Sequence, residues 1–226
     1  MKQNGCLQEG CFLCTNCLPE WQKVIEVSRE IVHFNKAQDL FKEGEAIRGV
    51  YFILSGAVKI HQSWGNGRQL ILRFATRGDV VGHRGLGVAR HFPVSATALQ
   101  DGSACFVTTQ FLETTAKTNP GFVFALISLY ADELQMAEKR IRDLAVLNAS
   151  ERLADSLLSM RDKFGENAEG FIQVPVNRQD LAFYAGTTYE TVFRILTQWA
   201  SQGLVQCSGK HIRIPEPDRV RQLISL

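Results

Sequence analysis

Hydrophobic positions change their period along the chain. Between residues 30 and 110 they come in short runs or alternate with polar ones. Val50-Tyr51-Phe52-Ile53-Leu54 is one run, turned by Ser55-Gly56, and Ala57-Val58-Lys59-Ile60-His61 continues with a period of two. That period lines one face of a pleated strand. Gly65-Asn66-Gly67 predicts a hairpin turn, because Asn-Gly tolerates the positive φ such turns require. A strand over 69–74 follows, and Arg77-Gly78-Asp79 turns the chain again. Short strands with turn signals this close together predict a small all-β barrel or roll.

After Asn119-Pro120 the period lengthens. Over 121–148, with no internal breaker, Ile127, Tyr130, Leu134, Ala137, Ile141 and Leu144 recur at alternating spacings of three and four. This is a heptad seam, flanked by the charged Asp132, Glu133, Lys139, Arg140 and Arg142. It predicts a helix that pairs with a second copy of the chain; the alternative is a helix packed on its own barrel. A second helix over about 150–164 and a short strand over 171–174 lead into the C-terminal segment.

There the pattern is local and dense. Asn177 is placed to cap a helix over 178–184, with Asp180 favourable in its first turn. Ala185-Gly186-Thr187 makes a tight turn, and Thr187 or Thr188 caps a second helix running to about residue 202. Val192, Ile195, Leu196 and Trp199 give that helix an apolar face. Tyr189, Glu190, Phe193 and Arg194 occupy another face, near its N-terminal end. A two-stranded wing over 203–214 turns at Ser208-Gly209-Lys210. Helix, glycine turn, capped helix and wing in this order predict a winged helix-turn-helix. In that motif the second helix enters the major groove. Glu190 would accept from cytosine N4 and Arg194 fork onto guanine, with Arg178, Thr188 and Lys210 also at the interface. A generic helical hairpin carrying a solvated Glu–Arg pair is the bland alternative.

Composition adds bounds. The 226 residues carry a net charge of +2, with 45% hydrophobic and 21% charged positions, which suits two modest domains and leaves any nucleic-acid binding to a local patch. A start without a basic region before a sustained apolar stretch, and no apolar run of membrane-spanning length, give the expectation of a cytoplasmic chain with no membrane partner.

The cysteines change the picture most. Of six, four fall in the first seventeen residues, Cys6, Cys11, Cys14 and Cys17, spaced C-x4-C-x2-C-x2-C. The last three follow the opening of ferredoxin-type ligand runs, whose short loops let thiolates converge on one iron–sulfur cluster. The next cysteine of such a run would stand at Trp21, so the fourth ligand must come from Cys6 or Cys105. Zinc, a thiol–disulfide switch and a processed terminus are the alternatives. An iron–sulfur electron carrier or enzyme is a further rival, supported by the cysteines alone: the sequence holds no convincing catalytic triad, Gly-rich phosphate loop or paired-carboxylate site.

Taken together, the chain resembles the CRP/FNR family of bacterial regulators over nearly its whole length. The carrying residues are Leu40-Phe41-Lys42-Glu43-Gly44-Glu45, Leu54-Ser55-Gly56, Gly78-Asp79-Val80-Val81-Gly82, Asn148-Ala149-Ser150-Glu151-Arg152-Leu153 and the run from Gly186 to Leu196. The resemblance implies an α+β chain, dividing as a Cys-rich cluster-binding arm (1–20), a cyclic-nucleotide-binding-type β-roll (21–120), a dimerisation helix (121–148) and a winged helix-turn-helix (149–226). It implies a non-enzymatic, homodimeric regulator of a palindromic DNA operator, working with RNA polymerase. Cyclic AMP is not the expected ligand. Where the cyclic-AMP branch places a Glu after the Gly-Asp turn stands His83, and Arg90-His91-Phe92-Pro93-Val94-Ser95 lacks that branch's Arg-Ser pair. Haem on His83 or His91 is a lesser alternative. The resemblance to the oxygen-sensing FNR branch implies a [4Fe-4S] cluster on Cys11, Cys14, Cys17 and Cys105, with Cys6 as the alternate, sensing oxygen, nitric oxide or redox state. Where that branch usually has Ser in the reading helix stands Phe193, which would meet a thymine methyl. Cys207, on the wing, is expected to be structural or incidental.

Overall fold

The computed structural model describes residues 10–65 and 67–224, so Cys6 and Asn66 lie outside the described residues. The chain forms two compact units, one built from residues up to Gln62 with Arg73–Gln135, the other from Ser63–Leu72 with the chain from Met136 onward.

In the first unit, short helices α1 (Phe12–Asn16) and α2 (Gln22–Ser28) precede strands β1 (Glu30–Phe34), β2 (Asp39–Phe41), β3 (Gly49–Ser55), β4 (Ala57–Trp64), β5 (Arg68–Thr76), β6 (Val80–Val81), β7 (Ser95–Ala98) and β8 (Gly102–Thr108). They make two four-stranded sheets, ordered β1-β8-β3-β6 and β2-β7-β4-β5. Strands β3 and β4 are buried in adjacent pairs rather than alternately, with Val50, Phe52, Ile53, Ala57, Val58 and Ile60 in the core, so the period of two read over 57–61 is not kept in the folded chain. The predicted roll is present, but helix α2 and helix α3 (Thr109–Thr118) were not predicted. In α3 the Thr108 side chain accepts from Phe111 N–H, an N-cap hidden in a Thr-rich run.

Helix α4 runs Pro120–Val146. Ile127, Leu134 and Ile141 are 60%, 61% and 68% exposed, and Ala137 is exposed as well. Such large apolar side chains in one stripe want a partner surface. Two parts of the prediction need correction. Glu133 is no solvated flank: it is buried, 6% exposed, against Arg73, His83 and Arg84 of the roll. Tyr130, read as a seam residue, also donates its hydroxyl to the His83 carbonyl, 2.6 Å away. No helix among the described residues is long and apolar enough to cross a membrane.

The second unit contains α5 (Ala149–Phe164), α6 (Arg178–Ala185), α7 (Tyr189–Ser201), the hairpin β9 (Gln206–Ser208) with β10 (His211–Arg213), and α8 (Pro217–Arg221). Helix α5 opens with a capping box: Asn148 Oδ1 accepts from Ser150 and Glu151 N–H, and the Glu151 carboxylate accepts from Asn148 N–H. The strand predicted over 171–174 is reduced to isolated bridges, Phe171 to Arg213 and Ile172 to Glu166.

Candidate metal centre and nucleic-acid interface

Cysteines three apart fall on one side of a helical turn, and α1 uses this. Cys11 is its N-cap, Cys14 lies within it and Cys17 is its C-cap. Cys105 comes from the middle of β8, between Ile31 of β1 and Phe52 of β3. Cys11, Cys17 and Cys105 are buried in one apolar cluster with Leu13, Phe52, Val107 and Phe122, and Cys14 packs against it. The spacing thus brings three thiols together, and the fold delivers the fourth.

The thiols interact. A hydrogen bond from the Cys14 thiol lowers the Cys11 pKa most; burial opposes it, and the Cys14 and Leu13 amides at the helix start add to it, leaving about 6. That same hydrogen bond drives the Cys14 pKa far up, with burial and the neighbouring sulfurs adding. Burial and then Cys11 push Cys17 to about 11. Burial pushes Cys105 to about 12, helped by Cys11 and partly countered by the Arg29 guanidinium. The thiolate is therefore favoured on Cys11 and disfavoured on the other three.

The arm is tied down around them. Phe12 stacks on Phe52 at 6.4 Å and meets Phe122 of α4 edge-on at 6.1 Å. Leu18 N–H donates to Asn119 Oδ1 at 2.8 Å, and Trp21 Nε1–H to the buried Thr115 hydroxyl at 3.1 Å. Gln22 Nε2 donates to the Cys14 carbonyl at 2.6 Å. By donor chemistry the residues fit an iron–sulfur cluster: four soft sulfur donors at the edge of one apolar cluster, three of which would have to lose a proton to become ligands. Among the described residues, no group of three or more His, Cys, Asp or Glu is arranged to hold a single metal ion. Thiolates that each take a different iron of a cluster need not converge on one point.

The second unit carries the reading helix. Asn177 caps α6 by accepting from Asp180 N–H, and Thr188 caps α7 by accepting from Thr191 N–H. Gly186 between them sits at φ 61°, ψ 45°, left-handed geometry that favours glycine; a Cβ there would also stand 2.7 Å from Leu144 Cδ2. Arg152 fastens the turn from outside, donating Nε–H to the Ala185 carbonyl and Nη2–H to that of Gly186. Val192, Ile195, Leu196 and Trp199 are buried as predicted. Thr188, Tyr189, Glu190, Phe193 and Arg194 are all exposed, and the Tyr189 and Phe193 rings stack at 6.4 Å. Arg178 is half-buried, with Nη2 donating to the Gly209 carbonyl at the wing turn, and Lys210 is exposed at that turn. Cys207 lies exposed on β9 and outside the cysteine pocket.

Sequence reasoning missed one polar cluster. Glu133 has Arg73 Nε at 3.1 Å, His83 Nε2 at 3.1 Å and Arg84 Nε at 2.9 Å. Only the Arg84 contact is aligned as a hydrogen bond. A Glu one position from a seam Leu reads as solvated flank, and nothing local marks it otherwise.

Comparison with known proteins finds two family matches along the chain. Residues 31–119 match the cyclic nucleotide-binding domain family, and residues 151–223 the Crp-like helix-turn-helix domain family. The chain is 28% identical to the fumarate and nitrate reduction regulatory protein of Escherichia coli K12 over 228 residues, covering 95% of this chain and 89% of that one. It is 27% identical to electron transport regulator A of Shewanella oneidensis over 213 residues, covering 90% and 84%. Among solved structures, FixK2 from Bradyrhizobium japonicum superposes with a TM-score of 0.78 at 30% identity, covering 88% of this chain and 98% of that one.

Proposed function

This chain belongs to the CRP/FNR family of transcription regulators, in its FNR branch, and we propose that it senses oxygen, nitric oxide or redox state through a [4Fe-4S] cluster. It is a DNA-binding regulator and not an enzyme. The observation that supports the sensing reading is the gathering of Cys11, Cys17 and Cys105 in one buried apolar cluster with Cys14 packed against it.

When bound, the cluster supplies an oxygen- and nitric-oxide-labile group within reach of the arm. The chain's own residues do the rest. Cys11 already favours the thiolate, while Cys14, Cys17 and Cys105 must each give up a proton to become ligands, so loading is favoured by rising pH. Leu13, Phe12, Phe52 and Phe122 exclude water from the sulfurs. The bonds from Leu18 to Asn119 and from Trp21 to Thr115 couple the position of the arm to the junction of α3 and α4. Returning the four cysteines to separate thiols or disulfides loosens the arm and with it the first turns of α4. The resulting population shift is no larger than the difference in ligand affinity between the two arm states.

At the other end, Glu190 and Arg194 read the core of the half-site, and Arg178, Thr188, Tyr189, Phe193 and Lys210 contact bases or phosphates around it. The exposed stripe Ile127, Leu134, Ala137 and Ile141, with Tyr130 and Leu144 at its border, pairs with a second copy. The dimer then binds a palindromic operator with half-sites about 10 bp apart and engages RNA polymerase.

The test is anaerobic reconstitution of the full chain and of its single Cys-to-Ala variants. Variants at Cys11, Cys14, Cys17 and Cys105 should lose the visible absorbance and the Cys207 variant keep it. Full absorbance in all four would refute the ligand assignment. One observation favours a second reading: the hydrogen-bonded Cys11–Cys14 pair, which favours the thiolate on Cys11, has the chemistry of a thiol–disulfide switch. A chain that stays colourless after reconstitution, but changes DNA affinity on oxidation and reduction, would support that instead.

A further inference from the structure

The roll belongs to a family that binds cyclic nucleotides, yet its pocket is closed. The lining includes Phe41, Ile60, Arg73, His83, Arg84 and Phe92, and the residual cavity is about 10 Å³, room for about one water. Phe41 and Phe92 stack across it at 3.9 Å. A nucleotide needs a cavity of at least some 300 Å³.

What remains of the pocket is its positive charge. Arg73, half-buried, donates Nη2–H to the Val80 carbonyl at 2.6 Å. His83 is 1% exposed, and neither ring nitrogen has an aligned hydrogen bond among the described residues. Arg84 completes the set, and Asp79 is the next acid near Arg73. Into this group reaches Glu133 from the middle of α4, within 3.1 Å of all three. The position after the Gly-Asp turn, which carries an acid in the cyclic-AMP branch, is here the base His83, and the acid arrives from the helix instead. Two half-buried guanidiniums and a buried imidazole lose their shared acceptor if that acid is removed, and charge held away from water without a partner is destabilising.

We propose that the roll's pocket is an anion site whose resident ligand is the chain's own Glu133 carboxylate, and that it accepts a small free carboxylate once that side chain is removed. The helix thereby supplies internally the anion that a nucleotide-binding roll takes from solution. Together with the Tyr130 hydroxyl on the His83 carbonyl, it pins α4 to the roll without any diffusible ligand.

The experiment uses the full chain and its Glu133→Ala and Glu133→Gln variants. Thermal unfolding is followed in sodium chloride, and in sodium formate or acetate at matched ionic strength. E133A should melt about 5–10 °C below wild type in chloride and recover about 3 °C, saturably, in formate. Wild type and E133Q, whose side chains fill the site, should show no formate-specific gain. Equal responses of E133A and wild type would overturn the proposal. So would a saturable rise in wild-type melting temperature with cyclic AMP or cyclic GMP, since the pocket would then exchange its carboxylate for a nucleotide. If E133A does not fold in chloride, recovery of folded chain in formate alone supports the proposal, and failure in both salts overturns it.

Discussion

Replacing Glu133 by Gln keeps the shape of the side chain and removes its charge, which makes it a quantitative probe of the pin between α4 and the roll. Burial by itself would raise the Glu133 pKa; the His83 ring and the Arg73 and Arg84 guanidiniums outweigh it and hold the carboxyl at about 2, against an ordinary 4.5. At about 1.4 kcal/mol per pH unit, this corresponds to about 3 kcal/mol favouring the charged form in the folded chain. The sign follows from linkage. A depressed carboxyl pKa stabilises the fold fully above about 4.5, and that stability is lost as pH falls toward 2. E133Q should therefore be less stable than wild type by about 3 kcal/mol at pH 7, and the gap should shrink through pH 4 and 3. The assay is urea unfolding of both proteins across that range, read as the difference between them, so that other titrating carboxyls cancel. A gap below about 1 kcal/mol at pH 7, or one independent of pH, would show that the two guanidiniums and the His83 ring do not stabilise this carboxylate as their distances imply.

Other predictions concern the two ends of the chain. Glu190→Ala and Arg194→Ala should each weaken binding to the specific operator by about 10- to 100-fold at fixed salt, consistent with about 1–3 kcal/mol per base contact, and leave non-specific binding nearly unchanged in fluorescence anisotropy; an equal loss on both DNAs would make them phosphate contacts. Replacing thymine by deoxyuridine, one operator position at a time, should weaken wild type at one symmetric position and leave Phe193→Ala indifferent there; wild type insensitive at every position would remove the methyl contact. Leu134→Glu and Ile141→Glu should shift sedimentation from dimer to monomer at micromolar concentration, and dimers that persist in both would show that the exposed stripe is not the pairing surface.

The parts legible in sequence are those whose determinants are close together in the chain. The reading unit is an example: Asn177, Gly186 and Thr188 each fix their own turn, so caps and faces follow from a few residues. The roll's hairpins follow for the same reason, through Gly56 and the turn at Gly78. What escaped depends on distant partners. Glu133 looks like its charged neighbours until the turn after β6 brings His83 and Arg84 against it. Tyr130 fits a heptad and is partly claimed by the roll. Helices α2 and α3 are short and stabilised by what they pack on, Trp21 stacking on Phe111 at 6.4 Å, so their periodicity is weak. Residues 171–174 have strand composition but meet only single bridging partners. For the cysteines, spacing singled out the three of the arm, the resemblance to the FNR branch pointed to Cys105, and the fold places Cys105 in the same buried cluster.

The central claim is tested most directly on the intact chain, purified and reconstituted without oxygen, by measuring iron, sulfide and operator affinity before and after exposure to air. The account predicts about four iron and four sulfide per chain, a visible band that bleaches in air, and a change in specific DNA affinity in step with the bleaching. A chain that binds no iron and sulfide, or one whose DNA affinity is the same before and after complete bleaching, would contradict it.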